Sequence, residues 1–169
     1  MSPARPRPVL SAVPLYAPDP TPVELDLSDN VNLWGVPPAA ARALREPLEA
    51  QPNVYPHSDP VELREALARH AGVSPAQVIT GCGSDDVIDG ALRAFAAPGE
   101  AVAYSAPSFS MLVNFARVNG LEPAPVPFRS DGDIDPDALL ARRAAITYVC
   151  SPNNPTGTGV SRAALERIQ

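Results

Sequence analysis

AITYVCSPNNPTGTG, residues 145–159, is the stretch that decides how this chain folds. Its first six residues form an apolar, β-branched run and predict a buried strand. The rest is turn chemistry, with Pro152 and Pro155 restricting φ and Gly157 and Gly159 permitting sharp bends. A strand with no polar alternation belongs to a parallel sheet covered on both faces, and parallel strands need helical crossovers between them.

Working outward, the neighbouring segments supply those crossovers. Downstream, SRAALERIQ starts a helix at Ser161. Upstream, DIDPDALLARR predicts a short helix capped by Asp135, and LEPAPVPF predicts an edge strand, because its prolines cannot donate to two neighbours. SFSMLVNFARVNG predicts a helix stopped by Gly120, and EAVAYSAP a strand. SDDVIDGALRAFAAPG predicts a helix with Val87, Ile88, Ala91, Leu92 and Phe95 on its buried face, and QVIT a short strand. Further back, DPVELREALARHAG has Asp59 as N-cap, Pro60 at the first helical position and Glu62 closing a capping box. Leu63, Ala66, Leu67 and His70 share one face, and Gly72 is a natural stop. VPPAAARALREPLEA reads as a helix begun by Pro37 and Pro38 and broken near Pro47, and VELDLSDNVNLWG as a strand ending in a polar turn. Residues 1–24 are proline-rich and predict an extended arm. The expected fold is therefore α/β, a mostly parallel sheet with flanking helices.

Composition narrows the function. The chain has 169 residues, 45% of them hydrophobic, and a formal net charge of -6. An acidic chain with few aromatics offers no basic patch, so nucleic acid is not an expected partner. No apolar run reaches the ~20 residues that a membrane span requires, and no secretory leader is expected from the start. Cys82 and Cys150 make neither a disulfide framework nor a zinc site, and are expected to be small, reduced and buried in a cytoplasmic protein. No metal site is expected. Lysine plus arginine total 13, and the chain contains 13 arginines, so lysine is absent.

In open parallel sheets ligands bind beyond the carboxyl ends of the strands. Three loops leave strands there: GCGSDD, SAPSFS and CSPNNPTG. Gly81 and Gly83 permit a sharp turn into a helix whose first N–H groups, with the Ser84 hydroxyl, suit a phosphate. The spacing is neither a Rossmann fingerprint nor a P-loop. The plain alternative is a capped helix. Phe109 can stack on a flat ligand or fill the core. The asparagine amides can donate to a phenolic oxygen or merely decorate a turn.

SPNNPTG resembles the Asn-Pro-Thr-Gly loop of the fold-type-I pyridoxal-phosphate aminotransferases. The likeness extends in order through NVNLWG, YP, LREALA, GCGSDDVI and APGEAVAYSAPSFSM. The nearest subgroup is the histidinol-phosphate aminotransferases. The resemblance implies that the chain is the N-terminal part of such an enzyme. It would comprise a Pro-rich arm (1–24), a small-domain segment with the substrate entrance (25–58) and a partial large domain (59–169). It implies pyridoxal 5'-phosphate (PLP) as cofactor. Asn154 would hydrogen-bond the cofactor's ring oxygen, and Phe109 would stack on the pyridine where the family often has tyrosine. Gly83, Ser84 and Asp85 would hold the phosphate, and Tyr55 would reach the phosphate of a neighbouring subunit's site. Gly35, with Trp34 beside it, would lie near the substrate carboxylate. An amino donor, a 2-oxo acid acceptor and a homodimer are implied with them. One departure is that Asn30, Val31, Asn32 and Leu33 stand where the subgroup often reads Asn-Glu-Asn-Pro, which leaves the substrate open.

The family's Schiff-base lysine, its pyridine-side carboxylate and its carboxylate-binding arginine all follow the Asn-Pro-Thr-Gly loop. With no lysine, these residues alone are not expected to transaminate, and no catalytic residue is assigned. His57 and His70 have no catalytic companion. Three rival readings stand beside this one: another PLP enzyme of the fold, such as a decarboxylase or carbon–sulfur lyase; a phosphate-ligand binding module; and an interaction protein that keeps the fold as a dimer surface.

Overall fold

The computed structural model of the chain describes residues 7–14, 21–25, 31–45, 55 and 59–169. The chain divides into two compact units, one of Met1–Leu15 with Ala76–Gln169 and one of Tyr16–Pro75.

The first unit is built on the expected parallel sheet. Its strands are β1 (Ala101–Ala106), β2 (Glu122–Pro127) and β3 (Ile146–Tyr148), in the order β2-β1-β3. Tyr104 of β1 lies beside Pro125 on one side and Tyr148 on the other. The central position explains why Val102, Ala103, Tyr104 and Ser105 are all buried. Successive side chains of a strand point to opposite faces. Val102 and Tyr104 accordingly pack with Leu92 of α3 (Gly83–Phe95) and with Leu112 and Ala116 of α4 (Ser110–Val118). Ala103 packs on the other face with Val126 and Ile134, Leu139 of α5 (Pro136–Ala141) and Ala164 of α6 (Arg162–Ile168). Each fully buried leucine, such as Leu112 or Leu139, contributes ~1.5–3 kcal/mol relative to exposure. The result is a three-layer sandwich of helices, sheet and helices.

The edge strand follows the proline pattern. Pro123, Pro125 and Pro127 take every second position, so their missing donors all face away from β1, while the Glu122 N–H donates to the Glu100 carbonyl at 2.8 Å. Arg142 covers that outer edge by donating to the Pro125 carbonyl at 2.9 Å. The caps read from sequence are present: Asp135 accepts from the Ala138 N–H at 3.0 Å and Ser161 from the Ala164 N–H at 3.2 Å. Gly120, at φ 74°, turns the chain out of α4. Near the N-terminus, Pro8–Ala12 forms a 3-10 turn, and Arg7 before it donates to the Val118 carbonyl at the end of α4, where a cation suits the helix dipole.

Several expectations are corrected. QVIT is not a strand: Pro75–Gln77 is a 3-10 turn, residues 78–80 join no ladder among the described residues, and Ile79 is exposed. A strand exists only through a ladder partner, and both edges of β1 are occupied by β2 and β3. β3 is three residues long and half-buried rather than fully buried, because β1 is its one partner among the described residues. On α3, Leu92 is buried and Ile88 packs against the core, but Ala91 is exposed and Phe95 is 76% exposed. Cys82 is exposed and Cys150 half-buried, both as free thiols.

The second unit contains α1 (Pro38–Arg45) and α2 (Val61–Ala71). Pro38 opens α1, where its absent N–H is not needed. The capping box on α2 does not form. Pro60 is the N-cap residue with no side-chain cap, and Asp59 instead pairs with Arg64 at 3.0 Å. Gly72 ends α2 at φ 69° as read. The expected apolar face is not the buried one: Leu63 and Leu67 are exposed, and Ala68 is the buried residue. The described residues of VELDLSDNVNLWG form no strand, and 26–30, the break near Pro47 and His57 lie outside the described residues.

Candidate functional site

β1 and β3 are parallel neighbours, so their following loops leave from the same end of the sheet. The chain then runs from β1 into α4 on one face and from β3 into α6 on the other. Adjacent strands whose connections diverge to opposite faces leave a crevice between the loops, and open α/β sheets bind ligands there.

The two loops are tied together by one side chain. Asn153 is 3% exposed. Its amide donates to the Pro107 carbonyl at 3.0 Å and to the Thr156 hydroxyl at 2.8 Å, and its side-chain oxygen accepts from the Ser108 hydroxyl at 2.8 Å. Its backbone closes the turn, donating to the Thr158 carbonyl at 2.8 Å and accepting from the Gly157 N–H at 2.6 Å. All its polar atoms are therefore used, as burial demands. The second asparagine differs. Asn154 is half-buried, and among the described residues its side chain makes no hydrogen bond. Phe109, the N-cap residue of α4, follows Ser108 directly, and its ring is half-exposed.

The third loop opens α3. Gly83, its first residue, has φ 78°, and open space surrounds the position of an added Cβ. Gly81 is tightly placed, since a Cβ there would lie 2.8 Å from Oδ2 of Asp86. That same carboxylate accepts from the Cys82 N–H at 2.9 Å and holds the loop. The N–H groups of Ser84 and Asp85 are among the first of the helix and have no intrahelical acceptor. Ser84 is exposed and Asp85 half-buried.

Tyr148, at the end of β3, borders the recess between the two loops. Burial pushes its hydroxyl up to about 12, and the neighbouring Cys150 and then the Asp85 carboxylate add to the rise. The phenol is therefore a neutral donor through the physiological range. A small recess lies among Ser105, Ser108, Tyr148, Cys150 and Asn153, and the buried Ser105 hydroxyl in it has no partner.

The structure thus places Phe109 and Asn154 on loops bonded to each other, while Gly83, Ser84 and Asp85 open α3 without a hydrogen bond to either loop among the described residues. Gly35, Trp34 and Tyr55 belong to the other unit. There, Asn32 folds a tight turn by accepting from the Trp34 N–H at 3.1 Å and donating to the Gly35 carbonyl at 2.8 Å, with Gly35 at φ 91°. Trp34 and Tyr55 are 94% and 96% exposed. Sequence reasoning missed Asn153, Ser108 and Tyr148. The doubling of the asparagine was the available signal, since one turn needs one amide. Among the described residues no three His, Cys, Asp or Glu side chains are grouped to hold a metal, and no helix is long and apolar enough to cross a membrane.

Comparison with known proteins agrees with this geometry. Residues 22–169 match the family model for aminotransferase class I and II. The chain is 38% identical to a histidinol-phosphate aminotransferase of Ruegeria pomeroyi, over 85% of this chain and 40% of that protein. It is 38% identical to an aromatic amino acid aminotransferase of Corynebacterium diphtheriae, over 92% of this chain and 46% of that protein. Its fold resembles the crystal structure of histidinol-phosphate aminotransferase from Sinorhizobium meliloti in complex with pyridoxal-5'-phosphate. The TM-score is 0.81 at 23% identity, covering 99% of this chain and 49% of that one. The chain spans less than half the length of each of these proteins.

Proposed function

Because this chain belongs to the class I and II aminotransferases, we propose that it is the part of such an enzyme that grips PLP at the end of the parallel sheet. The residues present suit that group. Asn154 has an unengaged amide in a half-buried position, the space beside Gly83 is open although its N–H donates to the Gly81 carbonyl, and Phe109 offers a half-exposed ring. When bound, the cofactor supplies an electron-withdrawing ring that lets an amino acid release its α-proton.

The chain's own residues then have distinct tasks. The backbone of Gly83, Ser84 and Asp85 and the Ser84 hydroxyl hold the phosphate at a helix N-terminus. Phe109 covers one ring face. Asn154 donates to the ring oxygen. Tyr55 reaches the phosphate of a second subunit in a homodimer, and Gly35 and Trp34 lie at the substrate entrance. The segments 1–24, 25–58 and 59–169 serve as arm, entrance and cofactor domain. The substrates are an amino donor of the histidinol-phosphate or aromatic amino acid class and a 2-oxo acid acceptor, in the cytoplasm. The absence of lysine from these 169 residues means that the amine that carries the cofactor and moves the proton comes from elsewhere.

The observation that carries this reading is the crevice where the Ser108–Asn153 bond joins two strand-end loops and leaves Asn154 free. Calorimetric titration of the chain with PLP, pyridoxal and inorganic phosphate tests it. PLP is expected to bind more tightly than either part alone. Equal binding of PLP and phosphate would reduce the site to a phosphate reader. Transamination by the purified chain would overturn the assignment of the amine to another source.

A further inference from the structure

The two adjacent asparagines divide a task that needs both. Every polar atom of Asn153 is engaged inside the protein, so it has nothing left with which to touch a ligand. Its partners Pro107 and Ser108 lie 46 and 45 residues earlier in the chain. They sit immediately before Phe109, as Asn153 sits immediately before Asn154. The lock thus includes the residue next in sequence to Phe109 and the residue next to Asn154, and Phe109 and Asn154 are themselves half-buried. We propose that Asn153 is a positioning residue. By fixing the β1–α4 loop to the β3–α6 loop, it sets the separation between the Phe109 ring and the Asn154 amide, so that one flat heteroaromatic ring meets both at once.

This rests on the reading of the crevice as a PLP site. Its physical basis is preorganisation: groups held in place before binding lose little freedom when the ligand arrives. The third lock contact, to Thr156, and the Gly157 and Thr158 backbone bonds hold the Asn154 side of the crevice in one turn. The phosphate loop takes no part in these bonds, being held by Asp86. The lock should therefore govern ring recognition and leave phosphate recognition alone.

The experiment titrates the full chain with PLP and, separately, with inorganic phosphate, for wild type, Asn153→Ala, Ser108→Ala, Asn154→Ala and the Asn153→Ala/Asn154→Ala pair. Asn153→Ala is expected to weaken PLP about three- to tenfold, the scale of one neutral hydrogen bond, with phosphate affinity unchanged. Ser108→Ala removes a single lock bond, serves if Asn153→Ala does not fold, and is expected to act in the same direction. In the Asn154→Ala background the Asn153 effect should shrink by about half or more, since part of it acts through the Asn154 amide. PLP affinity unchanged in both lock variants, equal weakening of PLP and phosphate, or full additivity of the pair would each overturn the proposal. Wild type that binds no PLP would sink the cofactor reading along with it. Wild type that binds PLP beside unaffected lock variants would sink the positioning role alone.

Discussion

The loop that opens α3 and the loop that follows β3, the two on which the proposed cofactor site draws, are held in opposite ways. The turn at 150–158 is closed around Asn153, whose buried side-chain amide has three protein partners and whose backbone has two more. The turn at 81–84 is held by one carboxylate, Asp86, and by glycines that permit a path other residues cannot follow. The reason lies in what each offers. A side-chain amide has to be aimed, and aiming needs a rigid frame. A row of backbone N–H groups is already aimed by its helix, and needs only that nothing cover it. Under the proposed reading, rigidity is concentrated where a single donor must be placed.

The largest effect that tests this contrast is Asn153→Ala. It leaves the Pro107 carbonyl and the Ser108 hydroxyl without their partner, while Thr156 keeps its bond to Thr158, and the chain should lose about 2–4 kcal/mol, read from urea unfolding. A loss no greater than that of an exposed asparagine would end the distinction between the loops. Next is Gly81→Ala, whose Cβ meets Oδ2 of Asp86 at 2.8 Å and Cγ2 of Val87 at 3.0 Å. The expected destabilisation is about 1–3 kcal/mol, as for overpacking, and Asp86→Ala in the same chain should relieve part of it. Gly83→Ala meets open space but sits at φ 78°, so its expected loss is about 1–2 kcal/mol from backbone strain alone. If Gly83→Ala proved costlier than Gly81→Ala, crowding would not be what makes Gly81 necessary.

The smallest effect concerns Tyr148 at the end of β3. Tyr148 is raised from its ordinary 10.0 to about 12, chiefly by burial, next by Cys150 and last by Asp85. A raised value means that the protonated phenol is favoured by folding. That contribution is complete below pH ~10 and is lost as pH climbs through about 12. Asp85→Asn removes one neighbouring negative charge and should lower the Tyr148 midpoint slightly, read by tyrosinate absorbance against a Tyr148→Phe control. An unmoved midpoint would separate the α3 loop from the crevice electrostatically.

Much of this was legible in the chain. The alternation of apolar runs with capped helical stretches predicted the parallel sheet, the edge position of LEPAPVPF and the caps at Asp135 and Ser161, because these depend on neighbours within a few residues. QVIT, the α2 face and Phe95 were misread for one shared reason. Their patterns state what a segment could bury, and burial requires a partner surface that sequence does not name. Asn153 and Asn154 show the same limit at the site. Both residues have the same side chain and both were visible in one motif. Which one the fold uses and which it leaves free depended on Pro107 and Ser108.

Residue order alone determined the strand-and-helix alternation, the positions where proline and glycine bend the chain, the absence of an amine side chain, and a family likeness in ordered motifs. Those properties are local or compositional, and no folding is needed to read them. The tertiary structure alone decided which strands became neighbours, which asparagine became the tie, and how two distant loops came to border one crevice. Hydrogen bonds between residues some 45 positions apart exist only after the sheet has brought its strand ends together.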